Sequence, residues 1–363
     1  MSKENRIVVL IPAYNPDSKM TGLVHELSKD FEHIVVVNDG CTGEFTRLFD
    51  EVKSEATVLV HEVNKGKGRA LKTGFGYVKE QCDNKSESAM SNVLGVITVD
   101  ADGQHTPEDV KKCCEVFLNN PETAVFGCRD FLSDTDIPPR SRFGNRLTSR
   151  LMKFFCDIEL SDTQTGLRVL PVSSLGDLLE VKGERYEYEM NMIFTLKDLE
   201  INWVENPISV IYLENNESSH FNPIKDSIRI YKVFFKFMLS SFGSSIVDLV
   251  LFTAFQIIFK PLSEEMYVII ATVIARICSG IFNFSVNRWI FGSKAKIASA
   301  GPKYLIVWFV QMCLSAGIVT GLSRLIPINP TIIKIIVDTV LFFISYKFQQ
   351  KWVFVKAKKD NNK

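Results

Sequence analysis

The string ITVDADGQHTPEDV, Ile97 to Val110, closes an apolar run with Asp100, Asp102 and Gln104. These are three hard oxygen donors at alternate positions, and Gly103 permits a tight turn among them. Mg²⁺ or Mn²⁺ prefers such ligands and keeps phosphate oxygens in its remaining positions. The same string would also serve as an acidic surface turn before a helix cap, so the residues alone leave both readings open. Position separates them, because a site that handles phosphate needs a strand to deliver its acids into a shared cleft.

The surrounding pattern supplies that strand. Apolar β-branched runs predict strands over Arg6–Ile11, His33–Asn38, Thr57–Glu62, Val93–Asp100 and Thr123–Cys128. Amphipathic stretches between them predict helices over Lys19–Lys29, Gly68–Glu80 and Pro107–Asn119, the last opened by Thr106 as N-cap with Pro107 at the first helical position. Alternation of this kind makes an α/β domain around a mostly parallel sheet, in which ligands bind beyond the carboxyl ends of the strands. The loops to read are therefore Pro12–Asp17, Asn38–Gly43 and Asp100–His105.

Those loops carry a resemblance. IPAYNP (Ile11–Pro16), VVVNDGC (Val35–Cys41), NKGKGRALKTGF (Asn64–Phe75) and the Asp100 string follow one another in the order and approximate spacing of the family 2 glycosyltransferases of GT-A fold. Residues 6–222 most resemble the polyprenyl-phosphate sugar synthases, which include dolichyl-phosphate mannose and glucose synthases and their bacterial undecaprenyl-phosphate counterparts. The resemblance implies a Rossmann-like, nucleotide-sugar-binding domain whose donor is a UDP- or GDP-linked sugar. Pro12, Ala13, Tyr14, Asn15, Lys67 and Ala101 would line the donor pocket, and Asp39 would hydrogen-bond the base. Asp100, Asp102 and Gln104 would hold the metal on the diphosphate, and Arg129 in FGCRDF would face phosphate. LSDTQTGLRVL (Leu160–Leu170) resembles the family's D-T-Q-x-G-F/L-R/K segment and would bring Asp162, Gln164 and Arg168 near the transferred sugar or the acceptor. The pattern departs from the family at Pro16, where many relatives have Glu, at Asn38, in place of an acid, and at His220, near the place of a phosphate-binding Lys.

The chemistry also follows from charge. Departure of a nucleotide diphosphate needs its developing charge neutralised, which a bound cation and Arg or Lys side chains do electrostatically. A lipid phosphate acceptor is already an anionic nucleophile near neutral pH and requires no general base. A sugar hydroxyl acceptor would need one, and Asp162 is the candidate. A processive polysaccharide synthase would carry a Q-x-x-R-W string; Gln349–Trp352 reads Q-Q-K-W and argues against that class.

Two basic stretches suit an anionic lipid surface. Pro138–Cys156 holds Arg140, Arg142, Arg146, Arg150 and Lys153 with Leu147, Leu151, Phe154 and Phe155 and no acid. Pro223–Ser240 holds Lys225, Arg229, Lys232 and Lys236 among Ile228, Tyr231, Phe234 and Phe235. Such helices lie in the headgroup plane, or else present a solvated face on the catalytic domain. Arg129, Arg140, Arg142, Arg168 and His220 are the expected contacts to acceptor phosphate or membrane.

The chain has 363 residues, 42 basic and 42 acidic. Residues 1–222 carry 24 basic and 36 acidic side chains and residues 223–363 carry 18 and 6, so the zero net charge joins unlike halves. Hydrophobic residues make up 46% and Phe alone numbers 27, which excludes a disordered or collagenous chain. Eight Cys without C-x-x-C or zinc spacing read as thiols of a reducing compartment. The apolar start meets Pro12 without a small-residue cleavage site, so no signal peptide is expected. Nothing points to nucleic acid, and self-association is left open.

Beyond Ser240, four windows are long and apolar enough to cross a bilayer as helices: Leu239–Phe259, Tyr267–Asn287, Tyr304–Leu322 and Thr331–Gln350. Basic residues follow the second and fourth, which predicts cytoplasmic termini. FNFSVNRWIF (Phe282–Phe291) and SYKFQQKWVF (Ser345–Phe354) echo each other, as interfacial anchors or as the ends of a duplicated two-helix hairpin. The N-F-x-x-N-R-W-I-F ending resembles the GtrA-like membrane domain, whose members are associated with moving or anchoring polyprenyl-linked sugars. Asp248, Arg276, Lys334 and Asp338 should face partners or a polar path, and Lys334 with Asp338 makes an i,i+4 pair.

The expected organisation is a GT-A domain over 1–222, a basic interfacial helix over 223–238, an all-α four-helix transmembrane domain over 239–354 and a basic cytoplasmic tail over 355–363. The expected activity is metal-dependent, inverting hexosyl transfer from a nucleotide-diphosphate sugar to polyprenyl phosphate at the cytoplasmic membrane face. The alternatives are transfer to a glycolipid or polysaccharide hydroxyl, and lipid-sugar translocation with a soluble domain that mainly binds cargo.

Overall fold

The computed structural model describes residues 4–84, 89–130, 139–209, 228–259, 264–291, 293, 297–325 and 330–354. The chain divides into two compact units, Met1–Ser227 and Ile228–Lys363. His220, part of the 223–238 segment and the basic tail lie outside the described residues, as do the side chains of Arg140 and Lys334.

The first unit is a seven-stranded mixed sheet with helices. Its strands are β1 (Glu4–Ala13), β2 (Phe31–Asn38), β3 (Thr57–Val60), β4 (Gly95–Thr98), β5 (Ala124–Arg129), β6 (Arg168–Pro171) and β7 (Trp203–Ile208), in the order β3-β2-β1-β4-β6-β5-β7. Ile7 to Ile11 are wholly buried, as expected for a central strand covered on both faces. β1 pairs in parallel with β2 and β4, and β5 with β7, whereas β6 runs antiparallel between β4 and β5. The predicted strands fall on β1–β5. The antiparallel β6 is new, and it sets the site: Thr98, the last residue of β4, pairs with Arg168, the first of β6. The carboxyl ends of β1, β2, β4, β5 and β7 and the amino end of β6 consequently share one edge.

The helices of this unit are α1 (Ser18–Ser28), α2 (Thr46–Glu51), α3 (Lys67–Asp83), α4 (Pro107–Asn119), α5 (Pro139–Leu151), α6 (Leu175–Leu179) and α7 (Glu187–Asp198). α4 has the predicted bounds and cap: Asp109 N donates to Thr106 Oγ1 at 3.1 Å, with Pro107 in the first turn. α5 covers the basic stretch and exposes Phe143, Leu147 and, in the π-turn Met152–Cys156 that ends it, Phe154.

The second unit is four long helices, α8 (Ile228–Phe259), α9 (Glu264–Ile290), α10 (Ile297–Leu325) and α11 (Pro330–Phe348), the last followed by a π-turn over Gln349–Val353. From Ile228 the basic segment continues into the first apolar window without a break, because nothing in its sequence stops a helix there. Phe235–Phe259 and Ile297–Val319 meet the length and hydropathy of membrane spans. The two echoed endings meet: Phe291 stacks on Phe354 with ring centroids 5.7 Å apart. Each Trp of the echo carries a lysine over its ring, Lys236 over Trp289 at 4.7 Å and Lys303 over Trp352 at 5.6 Å. In each hairpin the first helix supplies the lysine for the tryptophan ending the second. No two of the eight Cys form a disulfide.

Packing of α3 on β1 yields a stability test. A Cβ at Gly74 would lie 2.2 Å from Cδ1 of the buried Leu10, whereas one at exposed Gly22 in α1 meets nothing within 4 Å. Thermal unfolding of the full chain in detergent should show Gly74→Ala destabilised by about 1–3 kcal/mol through overpacking. Gly22→Ala should gain about 0.5–1 kcal/mol from helix propensity.

Candidate active site

The Asp100 turn is held in place from both sides. Val99 N donates to Leu10 O at 3.0 Å, and Thr98 Oγ1 donates to Gly166 O at 2.7 Å, tying the end of β4 to the loop that enters β6. That loop passes so close to Asp100 that a Cβ at Gly166 would lie 2.2 Å from Asp100 Oδ2. Only glycine lets the D-T-Q-T-G segment touch the carboxylate. Lys67, first residue of α3, reaches Asp100 Oδ1 at 2.7 Å and Glu189 Oε2 of α7 at 3.0 Å. Gly66 before it adopts φ +100°, and Gly66 and Gly68 both press on the Glu184–Tyr188 turn, where a side chain would collide.

Charge in this cluster is graded. Burial opposes ionisation of Asp100, yet the Lys67 ammonium, with His105 and Arg168 behind it, holds its pKa below the ordinary aspartate value. Asp102 is pushed the other way, first by burial and then by the Asp100 charge. Burial drives His105 below the usual imidazole value although both aspartates oppose it. Lys67 is raised: burial works against its charge, and Asp100 and Glu189 outweigh burial. Gln104 N donates to Asp102 Oδ1 at 3.0 Å across Gly103, whose φ is +76°.

One cleft gathers Asp100, Gln104, His105, Arg129, Gln164 and Gly166. Of the expected metal donors, Asp100 and Gln104 line it, and Asp102 is near enough for Asp100 to disturb its ionisation. Among the described residues, no three His, Cys, Asp or Glu side chains gather into a metal cage. The donors present are two carboxylates and one amide. A set of that kind fits a hard divalent ion that takes further oxygens from a phosphate ligand.

Arg129 and Asp162 form a fork. Nε donates to Oδ2 at 2.6 Å and Nη2 to Oδ1 at 3.0 Å, while Gln164 N also donates to Oδ1 at 3.1 Å. Asp162 is completely buried, and Arg129, with 22% of its side chain exposed, lines the cleft. Asn145 of α5 braces the same turn, donating to Ser161 O at 2.6 Å and accepting from Thr163 N. Arg168 stands elsewhere than at a phosphate or membrane surface. It is 1% exposed, donates to Thr165 O and Glu189 O at 2.9 Å each, and lies over the Phe126 ring. Its role in these contacts is to lock β6 to α7, and its charge still reaches Asp100.

At the donor end, Pro12 and Ala13 are buried in β1, and Tyr14 and Asn15 are exposed just beyond it, Asn15 with φ 47°. Ala101 packs partly against the core. Asp39 is 2% exposed and accepts from Lys65 N at 2.9 Å, Gly66 N at 2.7 Å and meets His61 Nδ1 at 2.7 Å. It braces the loop that aims Lys67. Arg142 belongs to α5, half-buried. Sequence reasoning missed Glu189 and Gly166; a glutamate on a helix carries no local signal, whereas the glycine stood inside a quoted motif.

A family model described as glycosyl transferase family 2 matches residues 8–179, and one described as the GtrA/DPMS transmembrane domain matches residues 236–354. A UDP-N-acetylglucosamine–dolichyl-phosphate N-acetylglucosaminyltransferase of Methanococcus voltae is 26% identical over 256 residues, 65% of this chain and 96% of the relative. An uncharacterised protein of Methanocaldococcus jannaschii is 28% identical over 241 residues, 65% of this chain and 92% of its own. Among solved structures, mannosyl-3-phosphoglycerate synthase from Rubrobacter xylanophilus is similar at 15% identity and a TM-score of 0.44, over 62% of this chain and 72% of that one. The chain joins a glycosyl transferase family 2 domain to a GtrA/DPMS transmembrane domain.

Proposed function

We propose that the protein transfers a hexosyl group, with inversion, from a nucleotide-diphosphate sugar to a polyprenyl phosphate at the cytoplasmic face of a membrane it crosses four times. The observation that carries this reading is the state of Asp162. A hydroxyl acceptor needs a base, and the carboxylate placed to supply it is buried and spent on Arg129. An acceptor that arrives as an anion needs none. Arg129, which lines the same cleft as Asp100 and Gln104, would then face phosphate.

Asp100, Asp102 and Gln104 would hold Mg²⁺ or Mn²⁺, whose part is to neutralise charge on the departing diphosphate. Lys67 adds a fixed ammonium beside Asp100, and Gly166 holds that carboxylate against the sheet edge. Tyr14 and Asn15 are the exposed residues beyond β1 for the donor nucleotide, which the Methanococcus voltae relative's name supports as UDP-linked. On α5, Phe143, Leu147 and Phe154 recur at helical spacing beside Arg146, Arg150 and Lys153, a face suited to anionic lipid. The basic segments that follow the second and fourth spans support a cytoplasmic position for both termini.

Three measurements test the reading. In detergent with a short polyprenyl phosphate, Asp102→Asn or chelation of divalent ions should lower transfer by at least about 10²-fold, the loss expected when electrostatic stabilisation is removed. Unaltered transfer would exclude the metal role. Gly166→Ala should cost about 10²-fold in kcat by displacing Asp100, the penalty typical of an ångström-scale misplacement; a kcat within twofold of the parent would show that the contact is idle. Supplied with polyprenyl phosphate and the matching alcohol, the enzyme should glycosylate the phosphate alone, and productive use of the alcohol would overturn the acceptor assignment.

A further inference from the structure

Lys67 stands between two carboxylates of unlike position. Its ammonium meets Asp100 Oδ1 at 2.7 Å and Glu189 Oε2 at 3.0 Å. The Lys67, Asp100 and Glu189 side chains are 19, 27 and 14% exposed, so solvent and salt screen the trio only in part. Asp100 lines the cleft, whereas Glu189 is not among the residues that do. The trio carries one positive and two negative charges, one carboxylate more than the ammonium needs.

Each member is anchored by its backbone, independently of the ion pairs. Arg168 donates from Nη1 to Glu189 O and from Nε to Thr165 O, both at 2.9 Å, which ties the first turn of α7 to the loop that enters β6. Gly166 of that loop lies against the Asp100 carboxylate. At the start of α3, Asp39 accepts from Lys65 N and Gly66 N, and Arg69 N donates to Glu184 O at 2.9 Å. The backbone of residue 67 is therefore held while its flexible four-carbon stem leaves the ammonium free to shift between the two carboxylates.

Charge decides what that freedom serves. Lys67 and a divalent cation compete for Asp100, because like charges a few ångströms apart in a partly desolvated site repel strongly. Burial also opposes the charge on Lys67, and Asp100 and Glu189 outweigh burial. With Asp100 as its sole carboxylate partner, the ammonium would yield it only by losing its counter-charge. Glu189 removes that penalty.

We propose that Lys67 and a divalent cation exchange places on Asp100, and that Glu189 is the positioning residue that retains the ammonium when they do. The cation rests on the catalytic reading above; the competition rests on the contacts of the trio. Two signs follow. Glu189→Gln keeps the shape but not the charge, leaves Lys67 to Asp100 and weakens cation binding. Lys67→Gln removes the competitor and strengthens it. Simple attraction at a distance would give the same signs, but with effects that add; a residue acting through Lys67 gives effects that do not.

The test titrates Mn²⁺ alone into the full chain in detergent and counts free Mn²⁺ by electron paramagnetic resonance. Lys67→Gln should tighten binding by about fivefold or more and Glu189→Gln should weaken it by about as much, the scale of coupling between groups in contact. In the Lys67→Gln background, Glu189→Gln should change Kd by less than about twofold, because the ammonium it acts on is gone. Asp102→Asn should lose the binding, which places the counted ion at this turn. Lys67→Gln keeps the test decisive where Glu189→Gln fails to fold, since a damaged site does not gain affinity. Additive effects of the two substitutions, or Lys67→Gln that binds Mn²⁺ no tighter than the parent, would overturn the proposal. Parent protein that binds no Mn²⁺ would sink the metal reading and the proposal together. Parent protein that binds Mn²⁺ with the non-additive pattern but transfers no sugar to polyprenyl phosphate would sink the catalytic reading alone.

Discussion

Everything at the sheet edge depends on how carboxylates drawn partly or wholly out of water are compensated. An aspartate leaves water at a cost of several kcal/mol that only close, well-aligned partners repay. Asp100 is compensated by Lys67 at 2.7 Å and Asp162 by the Arg129 fork, and the two solutions differ in consequence. A single ammonium leaves Asp100 lining the cleft, whereas a fork together with a backbone donor consumes Asp162. One acid stays open to the cleft; the other has become part of the scaffold. Removing Arg129 would expose the full cost of a buried charge, so the fork also pins the loop that enters β6.

That loop explains why the sheet is mixed. A parallel strand in the place of β6 would send its amino end away from the catalytic edge. Running antiparallel, it starts beside the end of β4, so the D-T-Q-T-G segment arrives where the D-A-D segment stops. The Thr98–Gly166 hydrogen bond and the missing Cβ at Gly166 bring the two within van der Waals contact. The same economy appears at the other end of Lys67. Asp39 gathers the amides of Lys65 and Gly66, and the glycines on either side of Lys67 allow the turn at Glu184–Tyr188 to close over the helix start.

Much of this was legible beforehand, and the boundary follows a physical rule. Strands buried on both faces announce themselves as apolar runs, so β1–β5 and the capped start of α4 could be placed to within a few residues. Asp100, Gln104, Arg129 and Gln164 were readable because each sits in a short string next to a strand end. What the sequence hid was long-range and antiparallel: β6 is four residues long, and its partners lie 70–76 positions away on β4 and 42–44 away on β5. Glu189 was invisible for the same reason. The opposite failure is Arg168, whose motif marked it for phosphate although its guanidinium caps two carbonyls in the interior. A motif records which residue type is needed, and both roles need an arginine.

In the membrane unit the logic inverts. Water is the competitor that the catalytic domain must exclude, while in hydrocarbon the protein must supply every polar partner itself. The Asn283–Asn287–Gln349–Ser345 chain does so in part with neutral amides and a hydroxyl, which avoid the desolvation cost of ions, while Asn287 Oδ1 stays buried without a partner. Asn287 and Gln349 belong to the two echoed endings, so the polar chain joins the hairpins at the place where their aromatic ends also stack. A bundle assembled only for anchorage could make that joint from leucine and phenylalanine at lower cost.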